Sequence, residues 1–433
     1  MQASDPSQYE EILIESNDQS NSVDLRLGVQ SIDYYEDIFS PTITAKIVVT
    51  TTGNAVNGKS IYNGLPLRGG ERVSLKIKAN TKTNPGLDFS DPTQYLYVSS
   101  ITNVVSNNQV ESFVLNLCSR EAITNETARV PVKFPTSLPI SSSVEKVIKD
   151  YIKTTKNVEV DKTMNKYGFI GNMRKPYSVI VWLAAKSVPD SKGTAGFVFY
   201  ETKSGLKFKS LDKLITQEPK ETYMATQVVN APEVQDFQIT KYAVDRNQHM
   251  LEKLRLGTYA SQRMYWNPLD GKFTTQDKGL FKLGDYVDDA KNLGEKLTLP
   301  KVDENSEKDL GDIPTRMITG VIDVGTTEIG VSYDDKNADP FKYQSQALMR
   351  YNIMFTQSMT IEIPNNTNLE AGDLIECNFP VVTTNETKEF DTEQSGLYMI
   401  KELCHHYDTE GSWTTLKLIR DTFGKYGTNN KEN

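Results

Sequence analysis

The sequence predicts a mainly β protein with an α+β part: two antiparallel β-barrel domains, an α+β domain between them, and an insertion in the second barrel. Three observations lead to this fold class. Apolar and polar residues alternate in short segments near both ends of the chain, helical periodicity appears between them, and one hairpin pattern occurs twice. A chain of 433 residues is long enough for several domains.

Residues 1–118 are predicted to form the first barrel. Segments such as SVDLRLGVQSI, TITAKIVVT and ESFVLNLCS alternate apolar and polar residues, and clusters of Gly, Asn and Pro separate them. No long helical period interrupts these segments. The pattern is typical of one antiparallel barrel or sandwich.

Residues 119–225 are predicted to form the α+β domain. Apolar residues recur at helical spacing from Val144 to Ile152, and a second helix is expected over residues 177–188, ended by Pro189. The text GFVFYETKSGLKFKSL then predicts two strands joined by a short turn near residues 203–205.

The second barrel is predicted to be split into residues 226–275 and 346–421. Residues 276–345 are charged and weakly patterned, which favours an insertion with long loops. A helix is expected over residues 344–355, and residues 422–433 are predicted to be a flexible polar tail.

A hairpin-sized segment occurs twice. When LYVSSITNVVSNNQVESFVLNL is laid without gaps on LYMIKELCHHYDTEGSWTTLKL, four positions are identical, namely Leu96, Tyr97, Leu115 and Leu117 on Leu397, Tyr398, Leu416 and Leu418. Upstream of the two copies, GGERVSLKI and AGDLIECNF each place a glycine, Gly70 or Gly372, before an acidic residue and a strand. We interpret this as one module used twice.

The first half of the module is also expected to repeat. DYYEDIFSPTITAKIVV can be laid on HMLEKLRLGTYASQRMY, with Glu36 on Glu252 and Thr42 on Thr258. This alignment predicts that the insertion splits the second copy.

Three consecutive residues, Cys404, His405 and His406, have the residue types of a metal or catalytic site. In the repeat they fall on Asn103, Val104 and Val105 of the first copy. Neighbours on a strand point to opposite faces, so Cys404 and His406 can share a face but His405 cannot join them. A zinc site needs about four ligands, and the sequence has no second Cys-His cluster to complete one. We therefore expect these residues to be structural and predict no metal, cofactor or catalytic residues.

Composition excludes several classes of function. The net charge of −9 disfavours general affinity for nucleic acid, and the three cysteines are too few and too dispersed for a disulfide framework. The N-terminus lacks the features of a secretory signal, and no apolar stretch is long enough to span a membrane. The sequence also contains no phosphate-binding loop and no nucleophile elbow, so we expect a protein that is not an enzyme.

The duplicated barrel with an intervening α+β domain resembles the baseplate hub proteins of T4-like contractile-tailed phages. The segments that carry the resemblance are SIDYYEDIFSPTITAKIVV, LPLRGGERVSLKI, GFVFYETKSGLKFKSL, LRLGTYASQRMYWNPLDGKF, LEAGDLIECNF and YMIKELCHHY. They cover most of residues 20–421, and the insertion and the tail match least well.

The resemblance implies a trimer in which each chain supplies two tail-tube-like barrels. Such a ring of six similar modules connects the six-fold tail tube to a three-fold central spike, and DNA passes through it without specific binding. Other implied neighbours are the tube-initiating ring, the tape measure protein and the inner baseplate, in a virion assembled from protein made in the bacterial cytoplasm.

Three other functions remain open from sequence alone. They are the hub of a bacterial contractile injection system, a cell-wall hydrolase at the tail tip, and a receptor- or sugar-binding module there.

Overall fold

A computed structural model gives the fold of the chain. It describes residues 2–424 except 55, 57, 108, 191–192, 226–234, 248, 269–270, 274–278, 286–291, 296, 323–339 and 382–389. The predicted tail beyond residue 424 lies outside the described residues, as does much of the predicted insertion. None of the helices within the described ranges has the length and apolar character needed to cross a membrane.

The first module consists of strands and one short helix. Its elements are β1 (Tyr9–Glu15), β2 (Ser22–Asp24), β3 (Val29–Asp37), β4 (Thr44–Thr52), α1 (Ile61–Gly64), β5 (Arg72–Lys78), β6 (Gly86–Phe89), β7 (Leu96–Ser106) and β8 (Val110–Ser119). Alternate side chains of β3 and β4, such as Ile32, Tyr34 and Ile47, are buried. The period-two alternation read from the sequence therefore marks the core-facing side of the sheet.

The middle domain contains the predicted helices and hairpin. Its elements are α2 (Arg120–Thr127), β9 (Lys133–Phe134), α3 (Ile140–Val147), a π-helical turn (Ile148–Ile152), β10 (Val158–Val160), β11 (Phe169–Ile170), α4 (Pro176–Ala184), β12 (Phe197–Thr202), β13 (Gly205–Ser210) and α5 (Leu211–Thr216). Strands β10, β13 and β12 form a three-stranded sheet, whose buried side chains pack with those of α3 and α4 in a separate hydrophobic cluster.

Helix α4 ends four residues before the predicted end at residue 188. Asn165 explains the early stop, because its side chain donates to the carbonyl of Lys186 at 2.7 Å and accepts from the backbone N–H of Val188 at 3.0 Å. These bonds hold the backbone out of the helix after Ala184 and before Pro189.

The second module is interrupted by a small α/β insertion. The module contains β14 (Glu221–Met224), β15 (Lys241–Asn247), β20 (Gln357–Pro364), β21 (Leu374–Asn378), β22 (Gly396–Asp408) and β23 (Ser412–Arg420). Between β15 and β20 lie α6 (Met250–Leu256), β16 (Ala260–Asn267), β17 (Lys272–Phe273), β18 (Leu280–Lys282), a 3₁₀ turn (Leu283–Asp285), β19 (Arg316–Val321) and α7 (Pro340–Ile353). Helix α7 agrees with the helix expected over residues 344–355.

Two predicted boundaries need correction. Strand β16, which we assigned to the second barrel, pairs with β17, β18 and β19 in a separate sheet, so the insertion begins soon after β15. Strand β14, which we assigned to the middle domain, pairs with β21 of the second module. Local alternation identifies a strand but does not identify the sheet that it joins.

The alignment of Glu36 with Glu252 is wrong. Residues 250–256 form helix α6, which His249 caps by accepting a hydrogen bond from the backbone N–H of Glu252, and which Gly257 ends with φ +69°. The true counterparts of β3 and β4 are β15 and β20, which lie on either side of the insertion. The insertion moved the two strands too far apart for a gap-free alignment to find them.

Both modules are part of one 14-stranded sheet. Along this sheet the order β3-β4-β8-β7-β5-β1 of the first module is repeated as β15-β20-β23-β22-β21-β14 in the second. One pairing differs, because β1 is antiparallel to β5 whereas β14 is parallel to β21. None of the strand pairs in the described ranges closes either module on itself, so each module is an open arc of the common sheet. The predicted mainly β fold class with large antiparallel sheets is confirmed.

The glycine turns that suggested the repeat have the same hydrogen bonds. The N–H of Gly70 donates to the carbonyl of Val98 at 2.7 Å, and that of Gly372 donates to the carbonyl of Ile400 at 2.8 Å. Val98 therefore matches Ile400, whereas the gap-free alignment placed it on Met399. Strand β7 has one more residue than β22 near Asn103, which has φ +54° and lies at a register shift. The gap-free alignment is therefore correct only beyond this bulge.

We expect Gly372→Ala to destabilise the second module. Gly372 has φ +91°, and a Cβ atom there would lie 2.4 Å from the hydroxyl of buried Tyr200. The left-handed backbone alone costs about 1–2 kcal/mol for a residue with a Cβ. Urea unfolding should show a lower midpoint for this variant, while Gly53→Ala, where a Cβ meets open space, should be close to wild type. Equal midpoints for both variants would contradict the expectation.

Candidate functional site at the joint between the two modules

The two modules meet strand to strand. The outer part of β22 pairs antiparallel with β3, from Glu402 opposite Asp37 to Asp408 opposite Ser31. Next to this ladder, Lys401 forms an ion pair with Asp37 at 2.6 Å. The joint is thus a continuous β ladder, with the hydrogen bonds of a single sheet, between two parts of the chain that are far apart in sequence.

Cys404, His405 and His406 lie on this joint, as alternating members of β22. His405 points to the core, where its ring stacks on Tyr34 and its Nδ1 lies 2.9 Å from the hydroxyl of Thr414. Cys404 and His406 lie on the opposite face, and both contact the carboxylate of Asp33 on β3. The structure therefore brings Cys404 and His406 together and separates them from His405, as strand alternation predicts.

The ring of His406 connects several elements of the joint. Its Nδ1 is hydrogen-bonded to Asp33, its Nε2 lies 3.3 Å from Asp408, and the ring stacks on Trp413 with 4.2 Å between centroids. Partial burial opposes a positive charge on this ring, but the hydrogen bonds and negative charges of Asp33 and Asp408 raise the pKa of His406 overall. Burial lowers the pKa of His405 far below its usual range, so His405 is neutral.

The cysteine has the environment of a structural thiol. Burial, together with the negative charge of Asp33, raises the pKa of Cys404 to about 12, which disfavours the thiolate that metal binding or nucleophilic attack requires. Within the described part of the chain, no group of three or more His, Cys, Asp or Glu side chains is arranged to hold a metal ion. The geometry supports a role for these residues in joining β22 to β3.

The middle domain reaches the same joint through the turn between β12 and β13. Glu36, at the end of β3, is buried and accepts hydrogen bonds from the backbone N–H of Lys203 at 2.7 Å and of Ala371 at 2.9 Å. The hydroxyl of Tyr34 donates to the same carboxylate at 2.8 Å. One carboxylate of the first module therefore binds the backbone of both the middle domain and the second module.

A second carboxylate completes this contact from the other side. Glu370, in the second module, accepts from Lys207 at 2.5 Å and from the hydroxyls of Ser204 at 2.9 Å and Thr202 at 3.1 Å. Removing one partner of a buried, hydrogen-bonded ion pair typically costs about 3–5 kcal/mol. We therefore expect the Glu370–Lys207 pair to fix the middle domain against the second module.

The two carboxyl groups differ in pKa because their surroundings differ. Burial, and then the negative charge of Glu370, raises the pKa of Glu36 to about 7. Burial opposes ionisation of Glu370 as well, but Lys207 and the other donors outweigh it and lower the pKa of Glu370. Glu370 is thus ionised at neutral pH, whereas Glu36 is close to its midpoint.

A second buried ion cluster attaches the middle domain to the first module. Lys156 lies 2.7 Å from Glu201 and 3.1 Å from Glu121, and the hydroxyl of Ser119, at the end of β8, donates to Glu201 at 2.7 Å. The backbone N–H of Ile43 also donates to Glu201. The middle domain is therefore bound to both modules by buried charges.

The sequence analysis missed the charged residues of this joint. Glu36 shares a face with Ile32 and Tyr34, so it is a charged residue at a core-facing position of a strand, and this was the available signal. Lys203 was recognised only as part of a turn, and Glu370 only as part of a segment before a strand. Their meeting depends on strand pairing between distant segments, which a single sequence does not reveal.

Comparison with known proteins relates this architecture to phage tails. No family model matches the sequence. A curated relative, "Probable baseplate hub protein gp334" of Vibrio phage KVP40, is 23% identical over 298 residues, and the match covers 65% of this chain. The chain spans 66% of that relative, just under two thirds of its length.

Two solved structures with the same fold are tail proteins. The tail protein from Neisseria meningitidis MC58 has a TM-score of 0.56 at 9% identity, covering 95% of this chain and 96% of that one. The 43 kDa tail protein of prophage MuSo2 from Shewanella oneidensis has a TM-score of 0.53 at 9% identity, covering 95% and 98%. The chain shares the fold of these two tail proteins. More particularly, the chain is similar to a baseplate hub protein, and the predicted resemblance is confirmed.

We expect Glu36 to make the free energy of unfolding decrease as the pH rises from about 4.5 to about 7. The ordinary pKa of this carboxyl is 4.5 and the folded value is about 7, so the unfolded chain releases its proton first. The contribution is fully present below about pH 4.5 and is lost as the pH rises through about 7. In urea unfolding across this range, Glu36→Gln should flatten the decline, while Glu410→Gln, at an exposed turn position, should not. Parallel pH profiles for wild type and Glu36→Gln would contradict this assignment.

We expect no structural metal at Cys404, His405 and His406. Metal analysis of the purified protein should find none in stoichiometric amount, and a chelator should leave the melting temperature unchanged. The variant Cys404→Asn, His405→Val, His406→Val should still assemble, with stability lower by ~1–3 kcal/mol because hydrogen bonds to Asp33 and Thr414 are lost. Unfolding of the wild-type protein by chelator would refute the structural role.

Proposed function

We propose that this chain is the structural hub of a contractile phage tail baseplate. Its similarity to a baseplate hub protein and its tail-protein fold support the proposal. The described residues contribute buried ion pairs and strand ladders to the candidate site, which suits a structural protein rather than an enzyme.

One observation carries the proposal furthest. Two modules with the same strand order lie side by side in one sheet, joined by the ladder between β22 and β3. A chain with two similar modules can present six near-equivalent units when three copies surround one axis. This arrangement would let a trimer match a six-fold tube on one side and a three-fold spike on the other.

The proposal includes the neighbours and location of such a hub. The partners would be the central spike, the tube or tube-initiating ring, the tape measure protein and the inner baseplate, in a virion made in the bacterial cytoplasm. The ring would form part of the DNA channel. The net charge of −9 supports passage of DNA without binding, because a protein that lacks an excess of cations releases few counterions from the phosphates.

We expect three copies of the chain around one axis when it is co-expressed with its spike protein. Native mass spectrometry should give a 3:3 complex, and electron microscopy should show six similar β modules in one ring. The isolated chain serves as the control, since it can be monomeric at low concentration if the spike is needed for closure.

Two outcomes would contradict the proposal. A stable monomer or dimer of the chain in the spike complex would rule out the trimeric hub. Cell-wall hydrolysis by the purified chain, lost on a single Asp or Glu substitution, would show an enzyme instead.

A further inference from the structure

We propose that neighbouring copies of this chain are joined by pairing the tip of β7 in one copy with β15 in the next, antiparallel and in the register of the internal β22–β3 ladder. The inference rests on the proposed function, since it names the surface by which hub subunits meet. Its basis is the repeat itself: β7 is the counterpart of β22, and β15 is the counterpart of β3.

The two strands are open at the corresponding edges. Strand β15 is at one end of the 14-stranded sheet and pairs with β20 alone among the strands in the described ranges. Strand β7 pairs with β5 only at Leu96 and Tyr97, so within the described structure residues 100–106 have β8 as their single neighbour. Free edges of this kind leave unpaired backbone N–H and C=O groups that favour addition of another strand.

The free edge of β15 carries apolar side chains whose counterparts in β3 are buried beside β22. Tyr242 and Val244 occupy the positions of Ile32 and Tyr34, as shown by the cross-strand partners Ile361 and Ile47 in the two modules. Ile32 and Tyr34 are fully buried beside β22, whereas Tyr242 is 45% exposed and Val244 is 38% exposed. An added strand would supply part of the missing cover.

The tip of β7 shows the same contrast. Its counterpart in β22 contains His405, which is fully buried, whereas Val104 is 44% exposed and Val105 is 68% exposed. Two adjacent exposed valines beside an unpaired strand edge suit a strand that will be covered by another strand.

The internal ladder predicts the register. His406 lies opposite Asp33, and Tyr407 lies opposite Ile32. Because Val105 is the counterpart of His406 and Ala243 that of Asp33, Val105 of one copy should lie opposite Ala243 of the next. Ser106 should then lie opposite Tyr242, and Val104 near Val244.

The internal joint is polar and the proposed joint is apolar, and this difference disfavours exchange of strands between them. The internal joint pairs His406 with Asp33 and Lys401 with Asp37, whereas the proposed joint pairs valines with Ala243 and Val244. An apolar β7 tip would leave Asp33 and Asp37 without their cationic partners if it occupied β3. Such a mismatch disfavours the wrong pairing and directs β7 to β15.

The contact is heterologous, because it uses different surfaces on the two copies. A heterologous contact produces either a closed ring or an open filament. The internal ladder already places one module beside the next, so repeating the same step between copies continues one ring of equivalent modules.

The test is disulfide cross-linking between two singly substituted full-length chains. Directly opposed residues of an antiparallel pair have Cα atoms ~4.5–5.5 Å apart, within reach of a disulfide. Val105→Cys mixed with Ala243→Cys, in the presence of the spike protein, should give a covalent dimer on oxidation. Neither variant alone should give a covalent dimer. This control also detects any cross-linking to the native Cys404. Val105→Cys mixed with Lys241→Cys is the matched control, because residue 241 is on the same face but two positions along, about 7 Å further.

The outcomes separate this inference from the proposed function. A covalent dimer in the first mixture only would support the pairing. A trimer in electron microscopy without this cross-link would overturn the pairing and leave the hub intact. Absence of both trimer and cross-link would overturn both. Equal cross-linking by the Lys241→Cys control would overturn the register.

Charge substitution gives a second measurement that does not depend on disulfide geometry. Val105→Asp should prevent assembly with the spike, because it places a charge in the apolar ladder. Met173→Asp should not, since Met173 is 60% exposed on the middle domain and away from both edges. Circular dichroism confirms that each variant is folded. Assembly of folded Val105→Asp at wild-type concentration would count against the pairing.

Discussion

The ladder between β22 and β3 is the contact on which the architecture of this chain depends. It makes one sheet of two modules that are separated in sequence by the whole middle domain, and it fixes their register residue by residue. A slip of one residue would turn His405 out of the core and bring His406 into it. The alternating burial of these residues therefore specifies a single arrangement of the two modules.

Buried charges reinforce the ladder from the side of the middle domain. Glu36 and Glu370 come from different modules, and both bind the β12–β13 turn. Glu201 and Lys156 attach the same domain to the end of β8. Buried charges cost free energy to remove from water, and the loss of one partner leaves the remaining charge uncompensated. They therefore specify the relative orientation of the domains and contribute little to overall stability. We infer that the middle domain sets the angle between the modules, while hydrophobic burial provides most of the free energy of folding.

The sequence was sufficient for the features that depend on local pattern. Alternation in β3 and β4, the helical spacing of α3 and the glycine turns at Gly70 and Gly372 each have a short-range physical cause. It was insufficient where distant segments compete for the same strand edge. The pairing of β14 with β21, the placement of β16 in the insertion and the meeting of Glu36 with Lys203 are decided by tertiary contacts. Of the site, the sequence predicted only that Cys404 and His406 lie on one face of their strand and that His405 lies on the other.

Divergence between the two copies is itself informative about assembly. If the tip of β7 remained an open edge in the assembled protein, polar or charged side chains would be favoured there. Instead, β22 carries histidines that bind Asp33 and Thr414, whereas β7 carries exposed valines at the corresponding places. A polar ladder within one chain is specified by the directions of its hydrogen bonds. An apolar ladder between molecules is stabilised because association removes apolar surface from water. The same module can therefore serve an internal and an external joint, and their different chemistry keeps the two from exchanging.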